Sequence, residues 1–263
     1  MSADGSSVTT IEGMLAEHQA FSERYRDALE TTRAAYYERY RFADVFASAV
    51  RVPASLLPRL REMPGVAVVQ PRIAKGVLLD LPGVREPSSG VVISLPEHGE
   101  PALNRLYMRS GRLPAAGRAQ EVVINDAFAR ANGFDVGSRF GAILDGRRMT
   151  FAVVGTALSP EFVYALGPGD FIPDSRRFGV IWMREKALAS LSDLQGAFNQ
   201  VSMRMMPGQD EQAVIDALDL ALARYGGTGA HGRSEQQSNA FLDAELKQLR
   251  AMAQVIPPIF LAV

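Results

Sequence analysis

The chain has 263 residues, 47% hydrophobic and 22% charged, which is enough apolar matter for a packed core and excludes a disordered or fibrous chain. A net charge of -1 draws no phosphate backbone, and no basic patch offsets it, so the balance speaks against a nucleic-acid partner. Without a single cysteine there is no disulfide framework, thiolate metal site or thiol nucleophile.

Met1 to Thr10 is polar and lacks the apolar stretch of a signal peptide. Thr9 followed by Glu12 is a capping-box pattern, and the proline-free run behind it predicts a helix to about Tyr40. Met14, His18, Phe21, Tyr25, Ala28, Thr32 and Ala35 recur in steps of four and three, the spacing of a seam on a second long helix. Glu12, Glu23, Arg26, Glu30 and Arg33 then face solvent.

A β-α-β unit follows: a strand over Phe42 to Val50, a short helix from Ala54 to Met63 opened by Pro53, and a strand over Val66 to Ile73. From Gly83 to Arg177 the texture changes to short strands between Gly, Pro and Asp turns: Val91 to Leu95, Glu121 to Ile124, Ser138 to Leu144 and Thr150 to Gly155. Asp145-Gly146 signals a hairpin, and Gly133 closes a short helix over Ala127 to Asn132. A second unit is expected from a strand over Gly179 to Met183, a helix over Lys186 to Leu194, a strand over Asn199 to Met205 and an amphipathic helix from Glu211 to Tyr225. Two such units around an insertion predict an α+β fold, a split β-α-β or ferredoxin-like body with a small β-rich subdomain inserted, flanked by two long stalk helices.

The second stalk begins at another capping-box pattern, Ser234 with Gln237, and repeats the four-three spacing at Leu242, Leu246, Leu249, Ala253 and Ile256. The two stalks are expected to pair. Ala251 to Val263 is almost wholly apolar, and is either the start of a truncated transmembrane helix or a core strand. The Pro257-Pro258 pair favours the helix, since two prolines make a poor central strand.

Catalytic chemistry finds little support. His18, His98 and His231 lie in different segments, and Glu97-His98-Gly99-Glu100 lacks the paired ligand spacing of a metal site. Gly227, Gly229 and Gly232 spell a dinucleotide fingerprint, but a helix precedes them where the motif needs a strand, so a linker is expected. No nucleophile elbow occurs, and no cofactor or catalytic residue is assigned. The most distinctive run is Ala157 to Gly179, a loop broken by proline and glycine that carries Phe162, Val163, Tyr164, Phe171 and Ile172. Its apolar payload either packs on the core or is held out for a partner, and Phe162, Tyr164 and Phe171 are the candidate partner contacts.

Four segments in order, AAYYERYRFADVFASAVR, PASLLPRLREMPGVAVVQPRI, ALSPEFVYALGPGDFIPDSRRFGVIWM and a helix running into IPPIFLAV, give the chain from about Arg33 onward its family likeness. It resembles the extracytoplasmic, or periplasmic, domain of FtsX-like, MacB-type ABC transporter permeases. The resemblance implies a division into an N-terminal stalk (1–40), a porter-like part in two halves (41–83 and 178–226), an inserted subdomain (84–177), and a linker with C-terminal stalk and truncated transmembrane start (227–263). It further implies a non-catalytic domain outside the bacterial inner membrane, attached through flanking membrane helices. Its partners would be a cytoplasmic ATP-binding subunit, whose hydrolysis drives its motion by mechanotransmission, and a periplasmic protein or a hydrophobic or lipidated cargo. Dimerisation through the stalks is a further expectation. Two other readings stand beside it, a soluble hydrolase with the insertion as a lid, and a coiled-coil adaptor.

Overall fold

A computed structural model describes residues 13, 24, 27–84, 86–167, 169–170 and 172–261, without the side chains of 249, 250 and 252–261. It divides into two compact units, Met1–Arg39 with Ala240–Val263, and Tyr40–Asn239.

In the first unit residues 27–39 are helical (α1), as are residues 13 and 24; the Thr9–Glu12 cap and the seam positions Met14, His18, Phe21 and Tyr25 lie outside the described residues. The expected seam is rotated by one residue. Ala28, Thr32 and Ala35 are exposed, while Leu29, Arg33 and Tyr36 are half-buried and Tyr37 is buried. A leucine and two tyrosines remove more apolar surface from water than two alanines and a threonine, so the larger side chains set the buried stripe. The second long helix, α6, spans Gln237–Leu261, and its Leu242 and Leu246 are half-buried as the spacing predicts. Leu249, Ala253 and Ile256 lie outside the described side chains. Arg33, expected in solvent, instead pairs with Asp243, so one ion pair bridges the two helices. The C-terminal run is helical to Leu261, which removes the core-strand alternative. No helix among the described residues is long and apolar enough to cross a membrane.

The second unit contains a four-stranded and a seven-stranded sheet. The smaller has β1 (Val45–Pro53), β2 (Val66–Arg72), β10 (Ala197–Met205) and β11 (Ala230–Gly232), in the order β11-β1-β10-β2 with every neighbour antiparallel. A short helix α2 (Leu57–Arg61) links β1 to β2, and α5 (Glu211–Leu222) links β10 to β11. Apolar residues alternate along the strands, and Val45, Ala47, Val201 and Met203 pack with Leu60, Val214, Leu218 and Leu222 of the helices. Asp210 caps α5 by accepting from the Gln212 amide at 3.0 Å.

The larger sheet collects β3 (Ala74–Asp80), β4 (Ser88–Leu95), β5 (Tyr107–Gly111), β6 (Glu121–Asn125), β7 (Arg139–Leu144), β8 (Arg147–Leu158) and β9 (Phe178–Arg184). Its order is β5-β8-β6-β9-β4-β3-β7, and β7 also pairs with β8, so all strands but β5 close into a ring. The length of β8 permits this, since Arg147 to Ala152 pairs with β7 and Ala152 to Ala157 with β6. Asp145 and Gly146, both at positive φ, form the tight β7–β8 turn. Helix α3 (Asp126–Asn132) ends on left-handed Gly133, as expected, and α4 (Glu185–Leu191) follows β9.

Two boundary expectations change. The strand assigned to the second half of the porter-like part is β9, which lies between β6 and β4 of the larger sheet and runs parallel to β4. Every residue of β9 is buried, Ile181 and Met183 in one core and Val180 and Trp182 in another, and only a strand covered on both faces accommodates that. The expected linker contains β11, whose three residues pair with Val45 to Ala47. So short an edge strand leaves no periodic signal in the sequence.

Candidate functional site

The chain enters the second unit at Tyr40 and leaves it at Asn239, and polar side chains gather at both places. Arg41 and Asn104 are non-glycine residues at positive φ (52° each), a costly geometry that backbone bonds hold in place. The Asn104 amide donates to the Arg41 carbonyl at 2.9 Å, and the Arg105 amide to that of Tyr40 at 2.8 Å. Asn104 Oδ1 also accepts from the Ala43 amide at 2.9 Å. From the departing segment, Arg233 donates to the carbonyls of Ala43 (2.9 Å) and Phe42 (2.8 Å), pairs with Asp44, and lays its guanidinium over the Phe42 ring.

At the centre lies Glu161, 5% exposed, in the 3-10 turn Pro160–Phe162 that follows β8. Both its carboxylate oxygens accept from the guanidinium of Arg72, the last residue of β2. Asn104 Nδ2 donates to Oε2 at 3.0 Å and to Ser202 Oγ of β10 at 3.3 Å. Arg72 Nε donates to Gln200 Oε1 at 3.0 Å, and Gln236 Nε2 to the Glu161 carbonyl at 2.8 Å. Gln236 Oε1 accepts from the Asn239 amide at 2.9 Å, so Gln236 is the N-cap of α6 in place of the expected Ser234. Arg72, Asn104 and Gln236 are all under 10% exposed. A cavity of about 20 Å³, room for roughly one water, adjoins Arg72, Asn104 and Glu161 beside Ser94, Ser159 and Trp182. This hub joins β2 and β10 of the smaller sheet, the turn that follows β8 of the larger, and both chain crossings in one network of charge-assisted bonds.

Two of the predicted contact residues, Phe162 and Tyr164, come just after Glu161 in the chain. Phe162 is half-buried, its ring edge-on to Trp182 at 6.3 Å. Tyr164 is half-buried and its amide donates to Ser238 Oγ at 2.9 Å. Phe171 lies outside the described residues, while Val163 and Ile172 are 44% and 78% exposed. Aromatic character pointed to this loop but not to Glu161; the available signal was a lone carboxylate between Pro160 and Phe162, with no charge nearby in sequence to pair it.

Elsewhere polar groups serve the loops. Glu97 accepts from the amides of Gly117 (3.1 Å) and Lys186 (3.3 Å), and His98 is exposed. Buried Arg184 donates to the carbonyls of Pro96, Gly99 and Pro114, and burial lowers its pKa against the pull of Glu97. Among the described residues no three His, Asp or Glu side chains are grouped to hold a metal.

No family model and no curated protein matches the chain. Solved structures do. The periplasmic region of MacB from Actinobacillus actinomycetemcomitans is similar over 80% of this chain and 95% of its own, at 10% identity and a TM-score of 0.44. The extracellular domain of the noncanonic ABC-type transporter YknZ from Gram-positive bacteria is similar over 72% and 98%, at 10% identity and a TM-score of 0.42. Both are extracytoplasmic regions.

Proposed function

We propose that this chain is the extracytoplasmic domain of an FtsX-like, MacB-type ABC transporter permease, non-catalytic, and coupled mechanically to a cytoplasmic ATP-binding subunit through membrane helices that flank it. The observation that carries the reading is the hub: the segments by which the chain enters and leaves the body, Tyr40 to Asp44 and Arg233 to Asn239, are bonded to each other, to β10 of the smaller sheet and to the turn that follows β8 of the larger. A displacement applied to either crossing then reaches the whole body, because packed elements move as rigid pieces. The sheet order and the two crossovers support a ferredoxin-like, porter-type body with a β-rich insertion from about Ala74 to Leu194. Helices α1 and α6, joined by Arg33 and Asp243, are the stalks in this reading.

The loop with Phe162, Tyr164 and Phe171, together with exposed Val163 and Ile172, is the proposed contact for a periplasmic protein or a hydrophobic or lipidated cargo. The test is expression of the natural full-length gene product, membrane fractionation, and protease accessibility from the periplasmic side. Cleavage of this domain only from outside, in a membrane-bound protein, is the expected result. A soluble product refutes the proposal and returns the hydrolase and adaptor readings.

A further inference from the structure

The chain passes between the two sheets twice, through α4 from β9 to β10 and, far more tightly, through the single residue Ile73 between the end of β2 and the start of β3. So short a link, carrying an inserted region of more than a hundred residues, is where a hinge would be sought. Here each of three consecutive residues is held at two points. Arg72 makes the double bond to Glu161. The Ile73 amide donates to Ser94 Oγ of β4, and its carbonyl accepts from the Ser94 amide, both at 2.8 Å. Asn199 of β10 reproduces a strand partner for Ala74 with its side chain, Oδ1 accepting from the Ala74 amide and Nδ2 donating to the Ala74 carbonyl, again both at 2.8 Å.

A hinge needs backbone groups that change partners cheaply, and these have none to spare. Asn199 belongs to the four-stranded sheet and grips the first residue of the larger one, while Ser94 of the larger sheet grips the residue before it. The grips cross. Rotation about Ile73 breaks the two bonds to Ser94 or the two to Asn199, as well as the Arg72 pair.

We propose that Arg72, Ile73 and Ala74 form a locked joint, so that the two sheets turn as one rigid block and conformational change in the parent protein is confined to segments outside Tyr40 to Asn239. The inference deepens the mechanical reading above, but its test reads the joint alone and does not depend on membrane attachment.

Because the chain has no cysteine, Leu220→Cys on α5 and Arg148→Cys on the β7–β8 hairpin, both at exposed positions, take one spin label each in the otherwise intact chain. One narrow distance distribution is expected, and it should broaden with Asn199→Ala and Glu161→Gln combined. A broad or two-peaked distribution in the parent overturns the proposal, as does a folded double variant whose distribution stays narrow. Amide exchange of the parent decides the matter if the variant does not fold. The Ile73 and Ala74 amides should exchange as slowly as those inside β4 and β10, and exchange about 100-fold faster than theirs would mean that the joint opens locally and is a hinge.

Discussion

Replacing Glu161 probes the hub most directly. Glu161→Leu puts an apolar side chain of similar size in its place and removes the carboxylate that accepts twice from Arg72 and once from Asn104. Arg72 is then a buried guanidinium with Gln200 as its remaining side-chain acceptor in the network, and breaking a buried pair on one side costs about 3–5 kcal/mol. For a chain of this size that lowers Tm by about 6–12 °C at the smaller cost. Adding Arg72→Met removes the orphaned charge. Asn104 keeps Ala43 and Ser202, and Gln200 keeps Ser48, so each loses one bond worth about 1 kcal/mol. The double variant should therefore lose only about 2 kcal/mol and be more stable than Glu161→Leu alone. Urea unfolding of the parent, both single variants and the double variant gives the coupling energy. If the double variant is no more stable than Glu161→Leu, an uncompensated charge is not what makes that variant unstable, and the description of the hub as a coupled ion pair fails.

The remaining predictions concern packing and pH. Gly90 faces Gly179 across the parallel β4–β9 pair, and a Cβ there would lie 2.4 Å from the Gly179 carbonyl oxygen, so Gly90→Ala should cost about 2 kcal/mol or more in the same unfolding assay. Hydrogen bonds from Arg112 hold the Glu121 carboxyl at about 2, below its ordinary range, so its stabilisation is full above about pH 4.5 and is lost as pH falls toward 2. Glu121→Gln should accordingly be less stable than the parent at pH 6, with the gap closing by pH 2 in acid titrations of unfolding. Phe162→Ser should change the emission of Trp182, the single tryptophan, and cost about 1–3 kcal/mol, because the ring packs on a buried cluster; unchanged emission and stability would mean that the ring is free for a partner.

The elements that the sequence made legible are those whose evidence is local. Gly133 closing α3, Asp145-Gly146 turning β7 into β8, and Val214, Ile215, Leu218 and Leu222 on one face of α5 each follow from a handful of adjacent residues. Gly179 to Met183 was legible as a strand, but it was assigned to the second porter-like half, and nothing local says which sheet takes it. Ring closure around β8 decided that, and it depends on pairings between residues far apart in the chain. The stripe of α1 was misplaced by one residue because Ala28, Thr32 and Ala35 fit the period as well as Leu29, Arg33 and Tyr36 do. Side-chain size broke the tie. The hub was the least legible feature, since Arg72, Asn104, Glu161 and Gln236 are single polar residues in four separate segments and carry no motif. Periodicity and turn chemistry, which act over a few residues, were determined by the sequence as read. Sheet membership and the satisfaction of buried charges belonged to the tertiary structure alone, because a carboxylate has no preferred partner until folding removes the water around it.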